Sequence, residues 1–119
     1  MVILWLGNSM KPAKGNIFKN IPAIIPEELF ENLIDRETLK IERIVSHGHS
    51  TPIGEWYDQS WDEWVLLLQG EALLGYEDGS KVKLQMGDYV FIPAHIRHRV
   101  EWTQPEFNTV WLAITFGLI

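Results

Sequence analysis

The sequence predicts an all-β domain, a sandwich or closed barrel, with one short helix ahead of it. Two observations predict this fold class. From Leu39 onward the chain breaks into short runs rich in β-branched and aromatic residues at even spacing. Glycine, proline and Asp-Gly turn signals stand between those runs.

The elements follow in chain order. Residues 1–25 carry Gly7, Pro12, Gly15, Pro22 and Pro26 just beyond, and form an irregular arm. Pro26-Glu27-Glu28 suits a first helical turn, since proline lacks the N–H that a helix start leaves unpaired and carboxylates favour the positive end of the helix dipole. Leu29, Phe30, Leu33 and Ile34 then fall at helical spacing, so a short helix is expected through about Asp35. The predicted strands are Lys40–Ser46, Glu63–Gln69, Glu71–Glu77, Lys81–Gln85, Tyr89–Ile92, Arg97–Thr103 and Thr109–Phe116. Asp78-Gly79 is a hairpin signal between two of them. One domain is expected, with residues 1–38 as an arm and helix packed on a barrel of residues 39–119.

Bulk properties bound the function. A chain of 119 residues with 46 % apolar and 22 % charged residues builds one ordinary core. A net charge of -6 repels phosphate backbones, so no nucleic-acid partner is expected. The absence of cysteine excludes disulfides, thiolate catalysis and sulfur-ligated zinc. Apolar runs such as Trp64 to Leu68 are far short of the roughly 20 residues of a membrane span, so no membrane partner is expected. The start Met1-Val2-Ile3-Leu4-Trp5-Leu6 has no basic leader, which predicts a cytoplasmic protein.

Alternation within strands places side chains. In Arg97–Thr103, His98, Val100 and Trp102 share one face, which points His98 into the barrel. In Glu63–Gln69, Glu63 shares the inner face with Val65 and Leu67, while Trp64, Leu66 and Leu68 cover the other. A strand apolar on its outer face needs covering by the N-terminal arm, the helix or a second subunit, and on this ground a homodimer is expected.

Two segments at the right separation resemble the cupin motifs. Glu63-Trp64-Val65-Leu66-Leu67-Leu68-Gln69-Gly70 matches the end of the first motif, a glutamate and a glycine six residues apart. Gly87-Asp88-Tyr89-Val90-Phe91-Ile92-Pro93, with His98 five positions after the proline, matches the second. The likeness covers roughly residues 40–116 and is greatest to small single-domain bacterial cupins with a Trp-Tyr-Asp-Gln segment, here Trp56-Tyr57-Asp58-Gln59, a group without a settled function.

The resemblance implies a jelly-roll barrel holding one divalent metal such as iron, manganese, nickel or zinc. The family binds it with two histidines and the glutamate of the first motif and the histidine of the second. Glu63 and His98 match. The positions seven and five before Glu63 hold Trp56 and Asp58, and only Asp58 can ligate. A one-residue difference in the gap aligns Tyr57 and Gln59 instead. His95 and Trp102 replace a usual glycine and asparagine of the second motif. The implied metal set is therefore Asp58, Glu63 and His98, with His95 as a candidate fourth. His95 and Tyr57 are the candidate acid or base, and Trp56, Gln59 and Trp102 the candidate cavity lining.

His47-Gly48-His49 is the alternative metal pair. It lies at a glycine turn, and Glu55 behind it has Asp62 where the motif needs glycine, so loop histidines are expected. Three functions compete. The first is a metal-dependent enzyme on a small organic molecule, of the oxygenase, isomerase or decarboxylase kind. The second is a ligand-binding or sensing barrel, and the third a structural barrel with a degenerate site.

Overall fold

A computed structural model describes residues 4–6 and 9–117, so Met1, Val2 and Ile3 of the expected apolar start lie outside it. It is built from strands: β1 (Leu4–Leu6), β2 (Ser9–Lys11), β3 (Leu29–Asp35), β4 (Leu39–Ser46), β5 (Asp62–Gln69), β6 (Glu71–Tyr76), β7 (Lys81–Gln85), β8 (Tyr89–Ile92), β9 (His98–Thr103) and β10 (Thr109–Phe116). The seven strands expected from Lys40 onward are all present, each bounded within one residue of its expected ends.

Two antiparallel sheets face each other as a jelly roll. One has five strands in the order β3-β4-β10-β5-β8, and the other three in the order β7-β6-β9. The chain crosses between them at β5–β6, β7–β8, β8–β9 and β9–β10. Val65, Leu67, Ala72, Leu74, Leu84, Ile92, Trp111 and Ala113 fill the space between the sheets. Period-two alternation puts them there, and β1 and β2 form a separate two-stranded ribbon within the arm.

The expected helix over residues 26–35 is a correction. Residues 29–35 form β3, the edge strand of the five-stranded sheet, paired with β4 from Leu29↔Val45 to Asp35↔Lys40. A bulge between Asn32 and Ile34 adds one residue to β3. Phe30 turns to the cavity, while the extra residue resets the alternation and brings Leu33 and Ile34 to the arm side, so the apolar residues that mimic a helical stripe serve two faces of a strand. A segment this short gains too little from helical propensity to resist a ladder offered by β4.

Alternation fails a second time in β9. His98 and Val100 point inward, but Trp102 is 40 % exposed while Thr103 is buried. The pairing shifts from Leu74↔Val100 to Leu73↔Trp102, which leaves Glu101 as the extra residue and turns Trp102 outward.

The arm is held by a buried cation. Arg43 lies on the outer face of β4, only 5 % exposed. Its guanidinium donates to Glu31 at 2.5 Å and to the carbonyls of Ile17, Lys19 and Asn20 at 3.2, 2.5 and 3.4 Å. A planar fork with five donors suits such a cluster of carbonyls better than a lysine would.

Gly70 makes the corner between β5 and β6. It has φ +94, and a Cβ there would stand 2.7 Å from Thr109 Cα. Both the left-handed backbone and the contact with main chain select glycine. Gly70→Ala is therefore expected to lower stability by about 2 kcal/mol or more, from strain together with the clash. Urea denaturation checks this; a loss under about 0.5 kcal/mol, the range of a neutral surface change, contradicts it.

Candidate functional site

Glu63 and His98 meet inside the barrel. Glu63 opens the inner row of β5 and is 9 % exposed; His98 opens β9 and is 5 % exposed. His98 Nδ1–H donates to the Ile96 carbonyl at 2.8 Å, which fixes the ring and leaves Nε2 facing Glu63. The distance from Nε2 to Glu63 Oε1 is 3.7 Å, close enough for an ion pair and too long for a hydrogen bond. Among the described residues no other side-chain group bonds to Glu63. Burial pulls the His98 pKa down, but the Glu63 carboxylate and the Ile96 carbonyl outweigh it, and the net shift is upward.

The segment before β5 is placed by a bridge to β9. Tyr57 N–H donates to the His98 carbonyl at 2.8 Å, and His98 N–H returns to the Tyr57 carbonyl at 3.1 Å. Antiparallel partners share a face, so Tyr57 lies beside His98, their rings stacked with centroids 5.6 Å apart. Tyr57 and Gln59 accordingly line the cavity with Glu63 and His98. Burial, then the charges of Glu28, Glu63 and Glu55, raise the Tyr57 pKa.

The same alternation turns Trp56 and Asp58 away. Trp56 lies under the guanidinium groups of Arg97 and Arg99, each 5.9 Å from the ring centre, which holds it on the outer side of β9. Asp58 is exposed and accepts a 2.9 Å hydrogen bond from His95 Nδ1–H. His95 is itself exposed and adopts φ 64, a left-handed backbone that explains why a glycine is usual at this motif position. Thus Asp58 and His95 pair with each other outside the cavity and do not reach Glu63 and His98. Trp102, turned out by the bulge, does not line the cavity either.

His47 and His49 form a loop of their own. His47 is exposed, and its Nδ1–H donates to Asn108 at 2.9 Å. The His49 ring accepts the His47 N–H at Nδ1 and donates from Nε2 to the Pro26 carbonyl at 3.3 Å. Both nitrogens of His49 are occupied, and neither histidine faces the cavity.

Two carboxyl groups on the cavity wall escape a sequence reading. Glu28, just before β3, accepts a hydrogen bond from the Ser46 hydroxyl, and Ser46 also accepts the Trp111 indole N–H at 3.1 Å. Burial raises the Glu28 pKa against the opposing Ser46 bond and His49 charge. Glu42 on β4 faces inward beside Ile44; burial raises its pKa too, opposed by Lys40 and assisted by the charges of Glu63 and Asp35. The one available signal was that Glu42 alternates with Ile44, on a strand whose inner face is the cavity wall.

The cavity is about 90 Å³. Val65, Leu74, Ile92 and Val100 floor it, and Phe30 and Tyr57, both partly exposed, stand at its rim. Larger open clefts of about 330 Å³ beside Lys40 and Trp61, and about 660 Å³ under the arm, contain no histidine. The donor set bears on the expected metal. Among the described residues no three His, Asp or Glu side chains come together to hold an ion. Glu63 and His98 supply two ligands, and the neighbouring places hold Tyr57 and Gln59, which are poor partners for a divalent transition metal at neutral pH. The residues present therefore do not fit a resident metal centre of three or more strong ligands.

Comparison with known proteins agrees with this fold. The chain is 42 % identical to a proposed mannose-6-phosphate isomerase of Ralstonia eutropha JMP134, over 90 % of this chain and 100 % of that one, with a TM-score of 0.86. It is 25 % identical to a cupin superfamily protein of Desulfitobacterium hafniense DCB-2, over 81 % of this chain and 83 % of that one, at a TM-score of 0.67. A cupin 2 conserved barrel domain protein of Leptotrichia buccalis shares the fold at a TM-score of 0.67 and 21 % identity, over 82 % of this chain and 44 % of that one. The curated proteins contain no match. The cupin domain model matches residues 42–115, which hold β5, β9, Glu63 and His98, and the chain belongs to the cupin family.

Proposed function

We propose that this cupin binds a small organic molecule in the barrel cavity, with Glu63 and His98 as its proton-carrying pair. One observation carries the reading. Two buried titratable groups stand side by side on the cavity wall, and His98 Nε2 has no hydrogen bond to satisfy it. A structural histidine would have both ring nitrogens bonded, as His49 has.

The pair suits proton transfer. His98 carries a proton at Nε2 when Glu63 is ionised, and a bound molecule between them is within reach of both groups. Tyr57 adds a hydroxyl at the rim. The isomerase name of the Ralstonia eutropha relative is compatible with such chemistry, since an aldose–ketose exchange moves a proton between neighbouring carbons. A sugar phosphate is a poorer fit here, because no lysine or arginine among the described residues lines the cavity and a phosphate dianion would meet three carboxyl groups.

The pair also has an expected titration. The His98 ring is expected to titrate above the ordinary value of about 6.5 in the wild type, and lower in Glu63→Gln than in the wild type, since only the Ile96 carbonyl is then left to oppose burial. NMR of the ring protons measures both. An unchanged value in Glu63→Gln sinks the pairing. Elemental analysis of untagged protein tests the metal expectation beside it. Iron, manganese, nickel or zinc at one per chain, lost in both Glu63→Ala and His98→Ala, would show a metal site instead.

Stability should depend on pH in one direction. The pKa values of Glu28, Glu42 and His98 are all raised on folding. Each contributes stability that is complete below its unfolded value, about 4.3 for the glutamates and 6.5 for the histidine, and lost as pH rises through its folded value. Glu28→Gln keeps an acceptor for Ser46 and removes the buried charge. It is expected to raise Tm at pH 8 and to leave it unchanged at pH 4; equal shifts at both pH values contradict this.

We also propose that two copies pair through the outer face of β5, β8 and β10. Trp64, Leu66 and Leu68, with Leu112 and Ile114, leave that face half-buried, and Tyr89 and Phe91 are exposed on it. None of these positions is charged, which suits a two-fold interface in which one patch meets itself. Light scattering on a sizing column is expected to give twice 13.8 kDa, and Phe91→Lys to give a monomer. A wild-type monomer at 50 µM, a test concentration of roughly tens of micromolar where a modest interface still pairs, refutes it.

A further inference from the structure

We propose that the cavity ligand is a small organic cation, an amine bound as its ammonium ion. This rests on the reading of the cavity as a ligand site and adds the ligand's charge and size. Three carboxyl groups, Glu28, Glu42 and Glu63, stand on the wall with one histidine, and no lysine or arginine among the described residues lines it. None of the three carboxyl groups forms an ion pair with a lysine or arginine among the described residues. Glu42 has no hydrogen-bond or ion-pair partner among the described residues. Glu63 has only the 3.7 Å contact with His98. Glu28 is met by a neutral hydroxyl. Lys40 acts on Glu42 through space without pairing with it.

A second observation points to an occupant independently of the charge. His98 is 5 % exposed and faces the cavity with Nε2 unbonded. Its nearest charged partner, Glu63 Oε1, stands 3.7 Å away, beyond hydrogen-bond distance, so among the described residues Nε2 is left facing the cavity with room for a ligand's polar group. An ammonium ion serves the carboxylates as a donor. A hydroxyl or amine substituent on the same molecule can meet His98 Nε2.

The walls favour an organic cation over a bare ion. Phe30, Tyr57 and Trp111 line the cavity, and aromatic faces attract ammonium groups. A metal needs several strong donors at one point, and no three come together among the described residues. The volume of about 90 Å³ is smaller than the roughly 150 Å³ cavity that takes up the six carbons of benzene, so the enclosed part of the ligand has about four non-hydrogen atoms.

Three molecules of one shape and different charge test this. Propylammonium, 1-propanol and propionate are titrated at constant ionic strength into the labelled full chain. The His98 ring and Trp111 indole resonances are followed by NMR. Propylammonium is expected to shift both and saturate, at least tenfold tighter than either of the others. Glu42→Gln, with its amide spectrum still dispersed, is expected to weaken it at least threefold. Propanol or propionate binding as tightly as propylammonium overturns the cation and leaves the cavity reading standing. No response from His98 and Trp111 to any of the three overturns both. Zinc alone shifting both resonances at one equivalent, undisturbed by propylammonium, overturns the proposal in favour of a metal.

Discussion

A carboxylate buried inside a barrel is the constraint on which the rest of the site depends. Glu63 occupies the first inward position of β5, and the next two are Val65 and Leu67, all closed to solvent. An ionised carboxylate there costs on the order of several kcal/mol unless a cation or proton meets it. His98 is the group that meets it, and its position has its own requirements. The Ile96 carbonyl holds one ring nitrogen, Tyr57 stacks on the ring, and the paired backbones of Tyr57 and His98 fix the height of both. The loop from His47 to Ser60 is thereby tied to β9 rather than left free. Thr51 N–H and hydroxyl bond Val100, and Arg99 bonds the carbonyls of Thr51 and Pro52.

What the sequence shows of this follows from the range of each interaction. Strands from β4 onward are legible because period-two alternation and turn residues are local. Glu63 and His98 are legible because each sits in an otherwise apolar row. The misreadings come from pairing with distant strands. The β3 bulge exists only against β4, and it puts Leu33 and Ile34 where, together with Leu29 and Phe30, a strand imitates a helix. The β9 bulge exists only against β6, and it sends Trp102 outward. Whether Asp58 or Tyr57 faces the cavity turns on one bridge to His98, which no local pattern near residue 57 announces. Glu28 and Glu42 sit among polar neighbours, so their chain context suggests a wet surface.

Charge is sorted across the five-stranded sheet. Consecutive residues of β4 point to opposite sides, Glu42 into the cavity and Arg43 under the arm. Arg43 is fully engaged by Glu31 and the carbonyls of residues 17, 19 and 20. Its positive charge is therefore spent on fastening the arm. Arg97 and Arg99, on the outer side of β9, are engaged by Glu77 and by Glu101 and the loop carbonyls. These three arginines face outward, Lys40 and His49 act on Glu42 and Glu28 only through space, and His98 is the one basic side chain among the described residues that line the cavity.

That sorting bears on whether the barrel is only a scaffold. Burial raises the pKa of Glu28 and of Glu42, so each makes the empty fold less stable as pH rises toward neutrality. A structural module gains nothing from them. Leucine at position 42, facing Ile44 and Ala113, would add apolar contact to a wall that already contains Val65 and Leu74. An interior that retains acids at a cost to its own stability, grouped around one unbonded histidine nitrogen, has the form of a site whose polar groups are completed by something that binds. Stability given up in one place and concentrated at one cavity is the usual mark of function rather than of packing.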